Sequence, residues 1–280
     1  TPVTIEILDG RGASIRRYAS TDPPELSAAE LAAQMIPSYW VRPHRAPPTT
    51  AGMHRWVWDL RRARPLADGY GYPISAVPGD TPRRPEGARV LPGTYTVKLT
   101  ASGKTLTTTV EVKADPRVKL PAAVLQQQNQ LEVRLAELLS RSSALALAAR
   151  SIAEQAERLA ADARAPKGPL AELAGKVAVL RSGAKDAKDR PAGEPPPTLV
   201  GVSRKLASLY GAVDVDAAPT TALIAEAAKA ERELEALARS WAALEAGELA
   251  RVNAALAAAR LPALAPDRRP PVRESDGDEE

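Results

Sequence analysis

The sequence predicts an α+β chain of two domains, an antiparallel β-sandwich over residues 1–115 and an antiparallel helical bundle over residues 116–265. Three observations carry this reading. Before Asp115-Pro116, apolar and polar side chains alternate with a period of two between segments rich in Pro and Gly. After it, Ala and Leu dominate and apolar positions recur every three or four residues. No run of about 18 apolar residues occurs, so no membrane-spanning helix is expected.

The first element is a β-hairpin in "VTIEILDGRGASIRR". Val3, Ile5 and Ile7 share one side, Thr4 and Glu6 the other, and Asp9-Gly10 with Gly12 supply the turn before Ile15 resumes the apolar face. The N-terminal "TPVTIEILDG" reads as the start of a strand rather than a signal peptide, so the chain reads as a piece of something longer. In "PPELSAAELAAQM", Ser27 and Glu30 form a capping box, and Leu26 with Leu31 a hydrophobic staple. A short helix over 27–35 follows. Residues 36–51 and 63–92, dense in Pro, Gly and Arg, are expected to be long loops. Between them lies "AGMHRWVWDLRRARP", with two of the four tryptophans. As a strand it points Trp56, Trp58 and Leu60 one way and Arg55, Val57, Asp59 and Arg61 the other, which makes it a central strand with tryptophans in the core. A second hairpin, "PGTYTVKLTASGKTLTTTVEV", sets Tyr95, Val97 and Leu99 on one face with Leu106, Val110 and Val112, and turns at Ser102-Gly103.

Four helices are expected in the second half. The first runs from 121 to about 163, with Leu131, Leu135, Leu138, Leu145, Ile152 and Leu159 in a coiled-coil-like seam. Leu170 to Leu180 and Leu199 to Leu209 mark two short helices. A long fourth begins at Leu223, and its stripe shifts register near Gly247 before resuming at Leu249, Val252 and Leu256. The two long helices should pack antiparallel, with Leu131 nearer the 250s and Leu159 nearer Leu223; the same seams would also serve an oligomer. Residues 183–198 are a polar, proline-rich connection, and 266–280 a disordered tail.

Composition narrows the chemistry. The chain has 38 Lys and Arg against 34 Asp and Glu, a net charge of +4, but residues 1–120 hold 17 basic and 11 acidic side chains. That surplus lies among prolines with no nucleic-acid motif, so it reads as solvated surface or domain contact, without a nucleic-acid partner. There is no cysteine, and the histidines are His44 and His54 alone, so no metal site is expected. Asp59, Glu86 and His54 show no spacing that makes an acid/base pair, and no nucleophile elbow, phosphate loop, zinc or calcium motif is present. No catalytic residue and no cofactor are expected. The candidate ligand or domain contacts are Trp56, Trp58, Tyr70, Tyr72, Arg61, Arg62 and Arg64, and a sugar-stacking platform of Trp56 or Trp58 with Tyr70 and Tyr72 is the sharper alternative to a plain core.

Several stretches taken together, "PVTIEILDGRGASIRR", "GMHRWVWDLR", "YGYPISAVPGDTPRRPEGARVLPGTYTVKLT", "VEVKADPRV" and "RKLASLYGAVDVDAAPT", resemble the C-terminal region of bacterial sortilin-like or BNR (Asp-box) glycosyl hydrolase-type β-propeller proteins. The resemblance implies an immunoglobulin- or fibronectin-like sandwich, followed by helices, behind a propeller that would hold any glycosidase-type site. It implies a periplasmic, extracellular or cell-surface location in a bacterium. It also implies a non-catalytic accessory role in assembly or docking, with a β-propeller of the same or another chain as partner. The alternative is a carbohydrate-binding sandwich that targets a catalytic partner, with a glycan as ligand. His54 stands where the family's "GMNR"-like motif has asparagine, no Asp-box occurs here, and no catalytic residue carries over.

Overall fold

The computed structural model describes residues 1–74, 77–183 and 196–269. The expected tail beyond 269 and residues 184–195 of the expected connection lie outside them. A small β-sheet region comes first and a multi-helix bundle follows.

Strands β1 (Val3–Leu8), β2 (Ser14–Ala19), β3 (Gly93–Ala101) and β4 (Lys104–Val112) form one antiparallel sheet in the order β2-β1-β3-β4. Both hairpins form where the turn residues place them. The Asp9 carboxylate accepts the amides of Arg11 and Ala13 at 2.9 and 3.0 Å, and Gly12 takes φ 80°. Ser102 and Gly103 take φ 50° and 73°, the left-handed pair that a two-residue hairpin turn requires. On one face Ile5 and Ile7 pair with Leu99 and Val97, which pair in turn with Leu106 and Thr108. The other face presents Thr94, Thr96, Thr100, Thr105, Thr107 and Thr109.

The second sheet that a sandwich needs is not among the described strands. The tryptophan run is extended but irregular, and only Arg61 makes a bridge, to Arg89. Its alternation fails at Leu60, which turns to φ 57° and stays exposed. Local bonds compete with a regular ladder there: the Trp58 indole N–H donates to the Arg61 carbonyl, and the Asp59 carboxylate accepts the Arg61 amide. Trp56 and Trp58 instead lie over the apolar face, against a core of Ile5, Ile7, Ile15, Tyr95 and Val112. Two indole rings thus cover part of the face that a facing sheet would cover, and Leu99, Leu106 and Val110 on it stay exposed.

Helix α1 (Ala28–Ala32) carries the expected capping box, with Ser27 and Glu30 bonded reciprocally. The bundle holds α2 (Ala122–Ala160), α3 (Lys167–Ser182), α4 (Leu199–Val213), α5 (Thr221–Leu244) and α6 (Ala250–Ala258). A π-helical turn, Glu245–Leu249, joins α5 to α6. It is the register shift read near Gly247. One buried cluster takes in Leu135, Leu138 and Ile152 of α2, Leu234, Leu237 and Trp241 of α5, and Val252 and Leu256 of α6.

The long helices run parallel, which corrects the antiparallel expectation. Arg134 pairs with Glu231, and Arg141 with Glu235 at 2.8 Å, so both helices ascend together. The Gln155 side chain then meets the backbone of Ala265, beyond α6. The reason lies in the connection. Ser143 meets Ser203, and the Gln128 side chain meets the Val213 carbonyl, so α4 descends along the lower half of α2. Lys176 pairs with Glu248 and Glu172 with Arg251, so α3 runs against α6 and likewise descends. The two short helices form one returning rod instead of two opposed passes, and α5 starts at the same end as α2.

Candidate functional site

A group of paired ionisable side chains lies where the loop layer over 60–90 meets α2 and α4. Gly87 makes the approach feasible: a Cβ there would stand 1.9 Å from the Arg62 carbonyl oxygen. The amide of Arg62 donates to Ala88, and that of Val90 to Leu60, so the two loop strands hold each other.

Arg61 reaches from this loop to the bundle. Its guanidinium donates to the Gly87 carbonyl at 2.9 Å and to the Asp214 carboxylate at 3.1 Å, and lies 3.7 Å from Glu86. Burial opposes its charge, but Asp214 and Glu86 outweigh that and hold its pKa above the ordinary value. Arg89 adds contacts to Asp214 at 2.7 Å and Asp216 at 3.3 Å. Beneath them Glu132 of α2 is 1% exposed and accepts the Arg89 amide at 3.1 Å. Burial pushes its carboxyl up to about 7, against the Arg89 hydrogen bond that lowers it. Asn129 donates to the Arg89 carbonyl, and the Tyr210 hydroxyl to the Glu86 carbonyl at 2.9 Å. Burial, with the nearby charge of Glu132, raises the Tyr210 phenol, so it stays protonated and donates. A cleft of about 330 Å³ opens beside this group, walled by Arg61, Arg84, Glu86, Tyr210 and Asp214.

Chemically this is a clamp. Each carboxylate in it meets a guanidinium or a backbone amide, and the tyrosine is not activated as a base. Among the described residues no group of three or more His, Cys, Asp or Glu is placed to hold a metal ion.

The seven candidates read from the sequence divide among different surroundings. Arg61 belongs to the clamp. The neighbouring Arg62 carbonyl accepts from Arg16 at 3.2 Å, while the Arg62 Nε is buried without a partner among the described residues. Trp56 stands edge-on to Tyr18 at 4.9 Å, and Trp58 edge-on to Tyr95 at 5.4 Å, both half-buried. Tyr70 sits between the guanidiniums of Arg64 and Arg83, at 5.5 and 5.2 Å from its ring, and Glu25 pairs with both. Its hydroxyl donates to the Pro65 carbonyl. Tyr72 is half-buried, and burial raises its phenol. The indole rings are thus engaged with the sheet, and Tyr70 with arginines, rather than sharing one flat platform.

Glu132, Asp214, Arg89 and Tyr210 were not singled out by sequence. The available signal was polarity on an apolar face: Gln128 and Glu132 fall in line with Leu135, Leu139 and Ser142 of α2, all buried. A second cleft, of about 670 Å³, lies between α2 and residues 265–269. Two of the arginines there are paired locally, Arg150 with Glu154 and Arg269 with Asp267.

Comparison with protein-family models, with curated proteins and with solved structures returns no match. The likeness to sortilin-like or BNR glycosyl hydrolase-type proteins is corrected accordingly. The described strands make a single open four-stranded antiparallel sheet, which is not a propeller arrangement. Motifs such as a Gly-Thr-Tyr strand or an Asp-Gly turn recur wherever hairpins do, because turn geometry and β-propensity demand them. No helix among the described residues is long and apolar enough to cross a membrane.

Proposed function

We propose that this chain is a non-catalytic interaction region, a sheet held firmly on a helical bundle and offered to a polypeptide partner. The observation that carries the reading is β4. It lies at the margin of the sheet, is exposed from Lys104 to Glu111, and carries Leu106 and Val110 in the open beside Leu99. An uncovered strand edge with apolar side chains is a template for pairing with another chain. The clamp supports the same reading, since Arg61 and Arg89 bind their acidic partners to fix the sheet region against the bundle.

The immunoglobulin- or fibronectin-like label, the propeller partner and an exported location drew on the family resemblance, and none of them is needed by this proposal. The test is photo-crosslinking in the natural protein within its own cells. A photoreactive residue in place of Leu106 should give a polypeptide adduct, and one in place of Thr107, on the opposite face, should give far less. No polypeptide adduct from either position, or glycan-array binding that Trp56→Ala abolishes, would overturn it.

A further inference from the structure

We infer that β4 pairs with β4 of a second copy, antiparallel about a two-fold axis at Thr108, so that two sheets become one of eight strands. This rests on the interaction reading above and names its partner.

The fold treats its two sheet edges differently. At the β2 edge, Ala63 donates to the Ile15 carbonyl at 2.8 Å, and the β1–β2 register breaks at Ile7/Leu8. Among the described residues the β4 edge has neither feature: its register with β3 is continuous from Gly93↔Val112 to Ala101↔Lys104. It contains no proline, and Lys104 and Glu111 are the charges on it. Proline, bulges and charge are the usual means of keeping an edge from pairing.

The residues of β4 are matched about their own centre. In the sequence Leu106-Thr107-Thr108-Thr109-Val110, the residues flanking Thr108 are threonines and the next pair out are aliphatic. A two-fold axis at Thr108 sets Leu106 opposite the partner's Val110 twice on the apolar face, and Thr107 opposite the partner's Thr109 twice on the other. Lys104 then faces Val112 and Glu111 faces Thr105, so no like charges oppose each other. A register two residues shorter sets Leu106 against Thr108. One two residues longer sets it against Val112, which is already buried.

The backbone agrees. In a two-residue hairpin the closing pair, here Ala101 and Lys104, bonds across the ladder. Alternation then turns the N–H and C=O groups of Thr105, Thr107, Thr109 and Glu111 outward. These are the pairs that this axis brings together, Thr107 with Thr109 and Thr105 with Glu111. The contact is one strand wide, smaller than a standard interface, so the dimer is reversible and fills with concentration.

The chain has no cysteine, which makes the test direct. Thr108→Cys places two thiols at a non-hydrogen-bonded pair on the axis, about 4.5 Å apart at Cα, within disulfide reach. Under mild oxidation it should give a covalent dimer in a yield that rises with protein concentration, while Thr105→Cys gives little. By sedimentation the unmodified chain should shift from monomer toward dimer between low micromolar and near-millimolar concentration. Thr109→Pro, which removes an outward amide, should abolish that shift with the helical circular dichroism unchanged. Leu106→Lys should do the same by setting charge against Val110, and covers the case in which the proline variant fails to fold. A monomer at every concentration, or equal cross-linking from positions 105 and 108, would overturn the pairing. An adduct from position 106 to a different polypeptide would also overturn it, yet leave the interaction reading standing.

Discussion

Arg61 and Asp214 meet at 3.1 Å across the junction, one from the loop layer over the sheet and the other from the end of α4, 153 residues apart in the chain. Asp214 also forms an ion pair with Arg89, whose Nε lies 2.7 Å away, so one carboxylate ties two loop arginines to the bundle. Arg61 is mostly shielded and Asp214 less so, which places the contact between a surface pair and a buried one. Arg61→Ala should therefore cost about 2 kcal/mol, read from urea unfolding, by leaving Asp214 and Glu86 short of a charge-assisted partner. Arg61→Lys should recover only part of this, because an ammonium cannot hold the Gly87 carbonyl and the carboxylate in the same fork.

Glu132 gives the junction a pH dependence of known sign. Its folded pKa is raised to about 7 from an ordinary 4.5. Below the unfolded value both states hold the proton, and the group costs nothing. As pH rises from there through 7, the unfolded state ionises first, and stability falls by about 3 kcal/mol in all. The charged groups that face it are Arg61, Arg89 and Asp214. Glu132→Gln should then be more stable than the parent above pH 7, with the gap closing toward pH 4. Urea midpoints measured across that range decide it, and a gap that widens on acidification would contradict the assignment.

Gly87 should tolerate no side chain. With a Cβ 1.9 Å from the Arg62 carbonyl oxygen, Gly87→Ala must push apart two loop segments that bond to each other at 62/88 and 60/90. A loss of about 3 kcal/mol is expected, at the upper end for a small overpacking change, because the obstacle is backbone. Thermal unfolding measures it, and limited proteolysis should find new cleavage near residues 59–63.

The two tryptophans should respond differently to the same change. The Trp58 indole donates to the Arg61 carbonyl at 2.9 Å, whereas the Trp56 Nε1 is buried with no partner among the described residues. Trp58→Phe loses a hydrogen bond and leaves a carbonyl short, about 1 kcal/mol. Trp56→Phe removes an orphaned donor and keeps an aromatic edge on Tyr18, so it should be near neutral. Equal losses from both would show that ring area, not the indole N–H, sets their contribution.

What the sequence disclosed was mostly local. The hairpins were legible because Asp9, Gly12 and Ser102-Gly103 fix turns without help from the rest of the chain, and the Ser27–Glu30 box needs only its own four residues. The tryptophan run misled because alternation is common to a strand and to an extended segment, and Leu60 leaves the strand region where no local rule announces it. The direction of α5 was not legible either. It depends on α3 and α4 descending in succession, and apolar stripes carry no sense of direction. The clamp was half legible: Arg61 stood out by its setting, but Asp214 lies in an ordinary acidic turn, and only the tertiary fold brings the two together.

The π-helical turn at Glu245–Leu249 explains how one long rod keeps its seam despite an irregular stripe. On α5 the buried positions run Ala227, Ala230, Leu234, Leu237 and Trp241 in steps of three and four, and Leu244 packs beside them. From Leu244 the next buried residue is Leu249, five on, and then Val252 and Leu256 resume the three-four rhythm. A regular α-helix would turn Leu249 away by about 100°, the rotation of one residue. The wide turn absorbs that residue and returns the downstream side chains to the core. Deleting Gly247 should therefore leave a continuous α-helix in which every buried side chain keeps its place. Stability should stay within about 1 kcal/mol of the parent, because a helical glycine is also lost. The opposing term is the pairing of Lys176 and Arg251 with Glu248, which is exposed and screened. Deleting Ala238, in the regular part of α5, should instead rotate Trp241 and everything beyond it off the seam. Trp241 is 1% exposed, and its removal from the core alone is worth about 3–5 kcal/mol. Thermal unfolding of the two single-residue deletions separates a register-correcting turn from a mere defect. If ΔGly247 unfolds as readily as ΔAla238, the turn is not what holds Leu249, Val252 and Leu256 in the core.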